Sequence, residues 1–265
     1  MVRIGGAQIP VTDSMHKNVV ILKDAIDWAH KNKVDYLLTP EGSLSGYLNS
    51  YDVLEKSNII ELLNQVVAYA SNKQVGLALG TEYIREEKFG KVKGSQIRYY
   101  DDTGDFINAY NKQMTIPAEL SLPGDGPKIT KFDSITQNGR HKFSAGSFIC
   151  NDIWGQLSDT QCIIRDLFYY QNSDTNILFH ASNGFRGDEA GTPDDNINLR
   201  KFSDMHLWMA SRYMMPIVTV DNCYKMNGDF YDGETSSTSG IILNGEWLVK
   251  AAPTGIDYFY HDFNF

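Results

Sequence analysis

Apolar runs rich in β-branched residues alternate along this chain with stretches whose apolar positions recur every three or four residues, the pattern of an α/β protein. Val2 to Ile9 reads as a first strand. Val19, Leu22, Ile26 and Ala29 then share one helical face behind the capping-competent pair Asp13-Ser14, and Val34 to Thr39 follows as a short buried strand. Ile59, Leu62, Val66 and Ala70 mark a second helix, and Val75 to Thr81 a third strand. Gln96 to Tyr100 and Phe106 to Tyr110 flank a polar turn over residues 101–105 as a hairpin.

The same order returns further along. Ser144 to Ile149, Thr175 to His180 and Ile217 to Val220 are strands, separated by helices over Asp159 to Tyr170 and through Leu199, Phe202, His206, Met209 and Tyr213. Gly240 to Leu243 and Trp247 to Lys250 flank Asn244-Gly245, a dipeptide suited to a two-residue hairpin turn. Matching strands in the two halves are displaced by 141 or 142 residues. This predicts two pseudo-symmetric β-α-β-α-β-β halves, joined through the Pro- and Gly-rich connector 123–127. The hairpins make each sheet mixed, and two sheets packed face to face with helices outside would bury both patterns economically. A single domain over residues 1–265 is expected.

Composition removes several classes of function. Hydrophobic residues make up 42% and charged residues 22%, an ordinary globular mix. A net charge of -9 and a pI near 5.1 argue against a basic phosphate-binding face, so nucleic acid is not an expected partner. No apolar run approaches the roughly 20 residues of a membrane span, and the first residues lack a signal-peptide layout; a cytoplasmic protein without a membrane partner is expected. Cys150, Cys162 and Cys223 form no C-x-x-C unit, and no H-E-x-x-H, G-x-x-x-x-G-K-[ST] or G-x-G-x-x-G is present.

Three polar residues directly follow apolar strands: Glu41, Lys112 and Cys150. The carboxyl ends of strands are where α/β sheets gather ligands. Cysteine attacks as a thiolate, and an adjacent carboxylate can take its proton. A fixed ammonium can stabilise the negative charge that attack on an amide or nitrile throws onto oxygen or nitrogen. Taken singly, each residue has a plainer reading: a small buried cysteine, an edge lysine and a loop carboxylate.

Taken together they carry a resemblance. The run Thr39-Pro40-Glu41-Gly42-Ser43-Leu44-Ser45-Gly46-Tyr47, then Tyr110-Asn111-Lys112 with Pro117-Ala118-Glu119 behind it, then Phe148-Ile149-Cys150-Asn151-Asp152, resembles the nitrilase superfamily of carbon-nitrogen hydrolases. Order and separations, 71 residues from Glu41 to Lys112 and 38 from there to Cys150, fit that family over nearly the whole chain. The resemblance implies a four-layer αββα sandwich and no metal or organic cofactor. It implies that Cys150 forms a thioester or thioimidate, that Glu41 accepts its proton and later activates water, and that Lys112 holds the oxyanion with the backbone N–H of Asn151. Glu119 resembles the family's second carboxylate, which braces the lysine and contacts the departing nitrogen.

The chain also departs from the family. Where many members follow the nucleophile with Tyr-Asp-x-Arg, Asn151-Asp152-Ile153-Trp154 stands here. Cys-Asn-Asp is similar to enzymes of N-carbamoyl amino acids, yet Ile153 and Trp154 cannot supply those enzymes' arginine clamp. Arg186 either supplies the charge from another loop or is simply solvated. Loops at Tyr47 to Tyr51, Asn151 to Gln156 and Asn183 to Thr192 are expected to choose the substrate, with Tyr47, Asn151, Trp154, Asn183 and Arg186 as candidate binding residues. The expected activity is hydrolysis of a small linear amide or carbamoyl compound through a cysteine acyl-enzyme. A nitrilase and a non-catalytic binding protein that retains the three residues are the alternatives.

A Cys-His hydrolase would need His141, His180 or His206 beside Cys150, and a serine nucleophile elbow would need Ser where Leu44 stands. Tyr258, Phe259, Tyr260, Phe263 and Phe265 crowd five aromatics into eight residues. Such a tail needs cover: it either folds back on its own domain or, as the family resemblance implies, reaches a partner copy in a homodimer or larger even assembly built beside Asp159 to Tyr170.

Overall fold

The computed structural model describes residues 1–47, 49–87, 90–115, 121–136, 138–153, 169–184, 201, 203–208, 210–211, 215–223 and 235–265. One sheet is built from β1 (Val2–Gln8), β2 (Tyr36–Leu38), β3 (Gly76–Glu87), β4 (Gly90–Tyr100), β5 (Phe106–Asn111) and β12 (Asp257–Phe263). The other contains β6 (Thr130–Thr136), β7 (Gly139–Ile149), β8 (Ile177–Ala181), β9 (Ile217–Val220), β10 (Gly240–Leu243) and β11 (Glu246–Lys250). Their orders are β12-β1-β2-β3-β4-β5 and β6-β7-β8-β9-β10-β11. In each, three parallel strands are flanked by an antiparallel hairpin on one side and a single antiparallel strand on the other.

The inner faces of the sheets meet in one apolar core. Tyr36, Leu38, Ile97 and Tyr99 come from the first sheet, and Phe132, Phe143, Phe179 and Val218 from the second. Outside the first sheet lie α1 (Met15–Lys31), α2 (Tyr51–Lys56) and α3 (Ile59–Asn72). The periodicity that predicts α1 is the face it buries: Val19, Leu22, Ala25, Ile26 and Ala29 pack with Leu37, Leu77 and Leu79. Ser14 caps its first turn by accepting from the Lys17 N–H. Tyr170, Leu207 and Ala210 cover the outer face of the second sheet against Phe148, Leu178 and Ile217. The layers are therefore helix, sheet, sheet, helix, the expected sandwich with its two related halves. Residues 201, 203–208 and 210–211 are helical, as the spacing through Leu199 to Tyr213 predicts, whereas most of the helix expected over Asp159 to Tyr170 lies outside the described residues. Asn244 and Gly245 both take positive φ, 54° and 79°, in the two-residue turn of the second hairpin.

Three expectations change. Strands β3 and β4 run on to Glu87 and from Gly90, past the points where the apolar pattern stops, because the hairpin pairing continues through polar residues. Strand β6 was not anticipated, and it pairs with a β7 that starts at Gly139 rather than Ser144. The aromatic tail is covered by its own chain rather than by a partner copy. As β12 it pairs with β1 over seven positions, from Val2 with Phe263 to Gln8 with Asp257.

Alternation along β12 explains its composition. Phe259 and Phe263 enter the core between the sheets, while Tyr258 on the opposite face stacks on Trp28 of α1 with ring centroids 5.0 Å apart. One face of β12 is thus core, while the other is only partly covered: Tyr258 is half-buried and Tyr260 exposed. Arg3 grips Asp262 with Nε and an Nη at 2.7 and 2.9 Å, and its guanidinium lies 4.4 Å from the centre of the Tyr260 ring. The Phe259 ring occupies the space above Gly6, where a Cβ would fall 2.4 Å from the ring. No helix among the described residues is long and apolar enough to cross a membrane. Phe259→Ala should cost about 3–5 kcal/mol of stability. Urea unfolding of the variant and of the intact protein at one protein concentration should show that loss as a lower midpoint.

Candidate active site

The segment carrying Glu41 is fastened to β3 by backbone and hydroxyl groups. Thr39 N–H donates to the Ala78 carbonyl at 3.1 Å, and Thr39 Oγ1 accepts from Gly80 N–H at 3.0 Å. Ser43 Oγ and Leu44 N–H both donate to the Gly80 carbonyl, at 2.8 and 3.3 Å. Gly80 is required by this approach, since a Cβ there would fall 1.9 Å from the Pro40 carbonyl oxygen. Asn183 Nδ2 donates to the Glu41 carbonyl at 3.1 Å, and Asn222 Nδ2 donates to Asn183 Oδ1 at 2.5 Å. Glu41 is thus held by β3 and by residues that follow β8 and β9.

Lys112 follows β5 directly. Its N–H donates to the Ser95 carbonyl at 2.9 Å, and its own carbonyl accepts from Gly124 N–H at 2.8 Å. The side chain reaches Glu41, with Nζ 2.8 Å from Oε1, and both side chains are 1% exposed. Ser95 Oγ donates to the same Oε1 at 3.1 Å. A buried carboxylate and a buried ammonium therefore neutralise each other in the space between the sheets.

Cys150 directly follows β7 and opens a single 3-10 turn, Cys150–Ile153. Its φ of 51° is unusual for a residue with a Cβ, and it is 7% exposed. Such local strain persists where surrounding contacts over-determine the backbone. Asp152 provides them: Oδ1 accepts from the N–H groups of Gln113 (3.0 Å) and Met114 (2.7 Å), and Oδ2 accepts from Ile149 N–H (3.0 Å) and Tyr110 O–H (2.8 Å). One carboxylate ties the nucleophile's turn to the segment that carries Lys112. Burial pushes Asp152 up to about 6, against the pull of the Lys112 charge and of these donors.

His180, on β8, lies beneath the cysteine, but it engages the wrong atom to serve as its base. Nε2 is 3.1 Å from the Cys150 carbonyl oxygen and Nδ1 is 2.8 Å from Thr219 Oγ1, so the N–H sits on Nε2 and donates to the carbonyl. Burial pushes His180 down to about 4. His141 is at the far end of the sandwich, 3.7 Å from Asp35. Ser43 and Ser45 spend their hydroxyls on the Gly80 and Gly46 carbonyls.

Glu41 and Lys112, from two separate strand ends of the first sheet, meet directly, and Asp152 ties the turn that follows the third strand end, at Cys150, to the segment after Lys112. Asn151 is half-buried in the 3-10 turn, and its Oδ1 finds no hydrogen-bond partner among the described residues. Tyr47 is half-buried just beyond the Glu41 turn. Asn183 is 3% exposed, and its amide supports Glu41, which is a different task from the expected binding of substrate. Glu119, Trp154 and Arg186 lie outside the described residues. Asp152, Ser95 and Asn222 were not singled out from the sequence, and His180 was weighed there only as the base of a Cys-His hydrolase. Of the first three only Asp152 left a trace, as the last residue of the nucleophile motif. Among the described residues no group of three or more His, Cys, Asp or Glu is placed to hold a metal ion.

Comparison with known proteins agrees with this geometry. No curated protein matches the chain by sequence. Among solved structures, a variant of the amidase from Nesterenkonia sp. AN1 with acrylamide added at its active-site cysteine superposes with a TM-score of 0.73 at 15% identity, covering 100% of this chain and 94% of that one. A cysteine-to-alanine variant of the same amidase in complex with butyramide gives 0.71 at 14% identity, over 98% and 90%. The glutamine-dependent NAD+ synthetase from Acinetobacter baumannii gives 0.68 at 18% identity, over 98% of this chain and 45% of that one. These likenesses establish the fold. The family model of carbon-nitrogen hydrolases matches residues 2–158, more than half of the chain and the part that holds all three of Glu41, Lys112 and Cys150. By that match, and by a buried arrangement that fits the Glu-Lys-Cys triad of the nitrilase superfamily, this chain belongs to the carbon-nitrogen hydrolases.

Proposed function

We propose that the protein hydrolyses a small, non-peptide carbon-nitrogen bond, in a linear amide or carbamoyl group, through a thioester on Cys150. The observation that carries this reading is the buried Glu41–Lys112 pair together with the Asp152 bonds that tie the strained turn of Cys150 to the segment just after Lys112. Glu41 takes the thiol proton as Sγ attacks the carbonyl carbon. The oxygen, now negative, is held by the Lys112 ammonium and the backbone N–H of Asn151. Collapse breaks the C–N bond, and the proton on Glu41 passes to the departing nitrogen, releasing ammonia or an amine. Glu41 then removes a proton from water, which attacks the thioester and frees Cys150. Asp152 is a positioning residue in this scheme, because it sets the nucleophile's turn against the Lys112 segment. The acrylamide and butyramide ligands of the Nesterenkonia amidase support a small amide as substrate. A nitrile would pass through a thioimidate on the same residues. Pairing of two copies beside the nucleophile belongs to the same reading and rests on the family resemblance; equilibrium sedimentation decides it.

Ammonia release from a panel of amides, carbamoyl compounds and nitriles tests the proposal. Cys150→Ala should abolish turnover while leaving the melting temperature close to that of the intact protein, since a small side chain replaces a small one; residual activity would exclude the covalent route. Lys112→Gln should reduce kcat by about a hundredfold or more with a smaller change in KM, because the ammonium acts most strongly on the transition state. A change confined to KM would make Lys112 a binding residue instead. His180 gains its proton only near pH 4 instead of near 6.5, so its ring resonances should not titrate between pH 5.5 and 8. A titration in that range would reopen a Cys-His mechanism.

A further inference from the structure

A second buried ion pair lies next to the first and takes no part in the reaction just described. Lys93 Nζ is 2.9 Å from Glu82 Oε1, with the two side chains 3% and 2% exposed, and it also donates to the Asn49 carbonyl at 2.7 Å. Its position follows from strand alternation. Tyr99 and Ile97 of β4 enter the core between the sheets, so Ser95 and Lys93 share that face. Ser95 is the residue that donates to Glu41, and Glu82 is its register partner across β3. The second pair therefore continues the polar end of the inter-sheet space, with Lys93 displaced from Ser95 by two residues, about 7 Å along the strand.

Stability alone does not account for it. Taking two charges out of water costs several kcal/mol, and well-packed apolar residues usually serve a fold as well or better. The chemistry of the lysine suggests its use: an ammonium has three N–H donors, and Glu82 and Asn49 occupy two of them. Charge narrows the ligand. Among the described residues here, Glu41 balances Lys112 and Glu82 balances Lys93, while Asp152 adds a carboxylate. A further anion would enter a dry site with no cation to meet it, whereas a neutral oxygen would only accept a hydrogen bond.

We infer that Lys93, held by Glu82 and Asn49, is a specificity-determining residue. It donates its remaining N–H to an uncharged oxygen on the acyl chain, so preferred substrates are small amides with a second, neutral acceptor near the fourth atom from the scissile carbonyl. This rests on the amide-hydrolysing reading, and its test does not require turnover. Calorimetric titration of the Cys150→Ala protein with butyramide, 4-hydroxybutanamide, butanediamide and the succinamate anion reads binding alone. The two neutral polar amides should bind about tenfold or more tightly than butyramide, and succinamate no better than butyramide. Adding Lys93→Met should bring the neutral amides to within about twofold of butyramide, whose own affinity should stay the same. Equal affinities before that change, a preference that survives it, tightest binding of succinamate, or a parallel loss for all four ligands would each overturn the inference. Because Lys93→Met strands the Glu82 charge and can unfold the protein, the pair Lys93→Met with Glu82→Leu provides the same comparison without a buried unpaired charge. Failure of the intact protein to release ammonia from any amide would defeat the activity proposed above while leaving these binding ratios to stand or fall separately.

Discussion

A lysine and a glutamate, each 1% exposed, meet between two β-sheets at 2.8 Å, and much of the local architecture is arranged so that neither charge is left alone. Water cannot solvate them there, and separating them would leave an uncompensated charge at a cost of about 3–5 kcal/mol. The pair therefore demands that the segment after β2 and the segment after β5 converge, though they lie on non-adjacent strands. The bonds from Thr39, Ser43 and Leu44 to β3 fix one side, and the exchange between Lys112 and Ser95 fixes the other. Cys150 comes from the opposite sheet, and Asp152 joins it to the lysine segment through three donors, from Tyr110, Gln113 and Met114. Chemistry that needs acid, base, cation and nucleophile in one dry space is thus supplied by the ends of strands whose middles are ordinary core.

The two halves are not separate bodies side by side. Strand β6 follows the first half in sequence but completes the second sheet, and β12 follows the second half but completes the first. Each half lends its last strand to the other, in equivalent antiparallel positions beside β7 and β1. The chain segments from β5 to β6 and from β11 to β12 therefore tether one sheet to the other.

The parallel strands, their helices and the three reactive residues were legible because each depends on local pattern: an apolar run, a 3-4 spacing, a polar residue at a strand end. What escaped depends on distant partners. The segment 257–263 reads as an exposed aromatic tail until the core between the sheets is seen covering one face and Trp28 part of the other. The arms of β3 and β4 beyond Thr81 lose the apolar alternation, and so Glu82 and Lys93 look like surface charges although they are buried against each other. Asn183 was legible as a residue near the site, but its bonds to Glu41 and Asn222 make it a support. Asp152 stood in plain view within the motif, yet three of its four donors come from residues 110, 113 and 114, which no spacing around Cys150 reveals.

The pairing of β1 with β12 also governs how the protein is made. Translation delivers β1 first and β12 roughly 250 residues later, an interval of about 12–50 s at ordinary elongation rates. Throughout that time the N–H and C=O groups along one side of β1 lack their ladder, Arg3 lacks Asp262, and the space above Gly6 lacks the Phe259 ring. Unpaired strand edges of this kind recruit other chains. The edge of β1 that β12 covers in the finished sandwich is therefore open to wrong pairing until the last strand arrives.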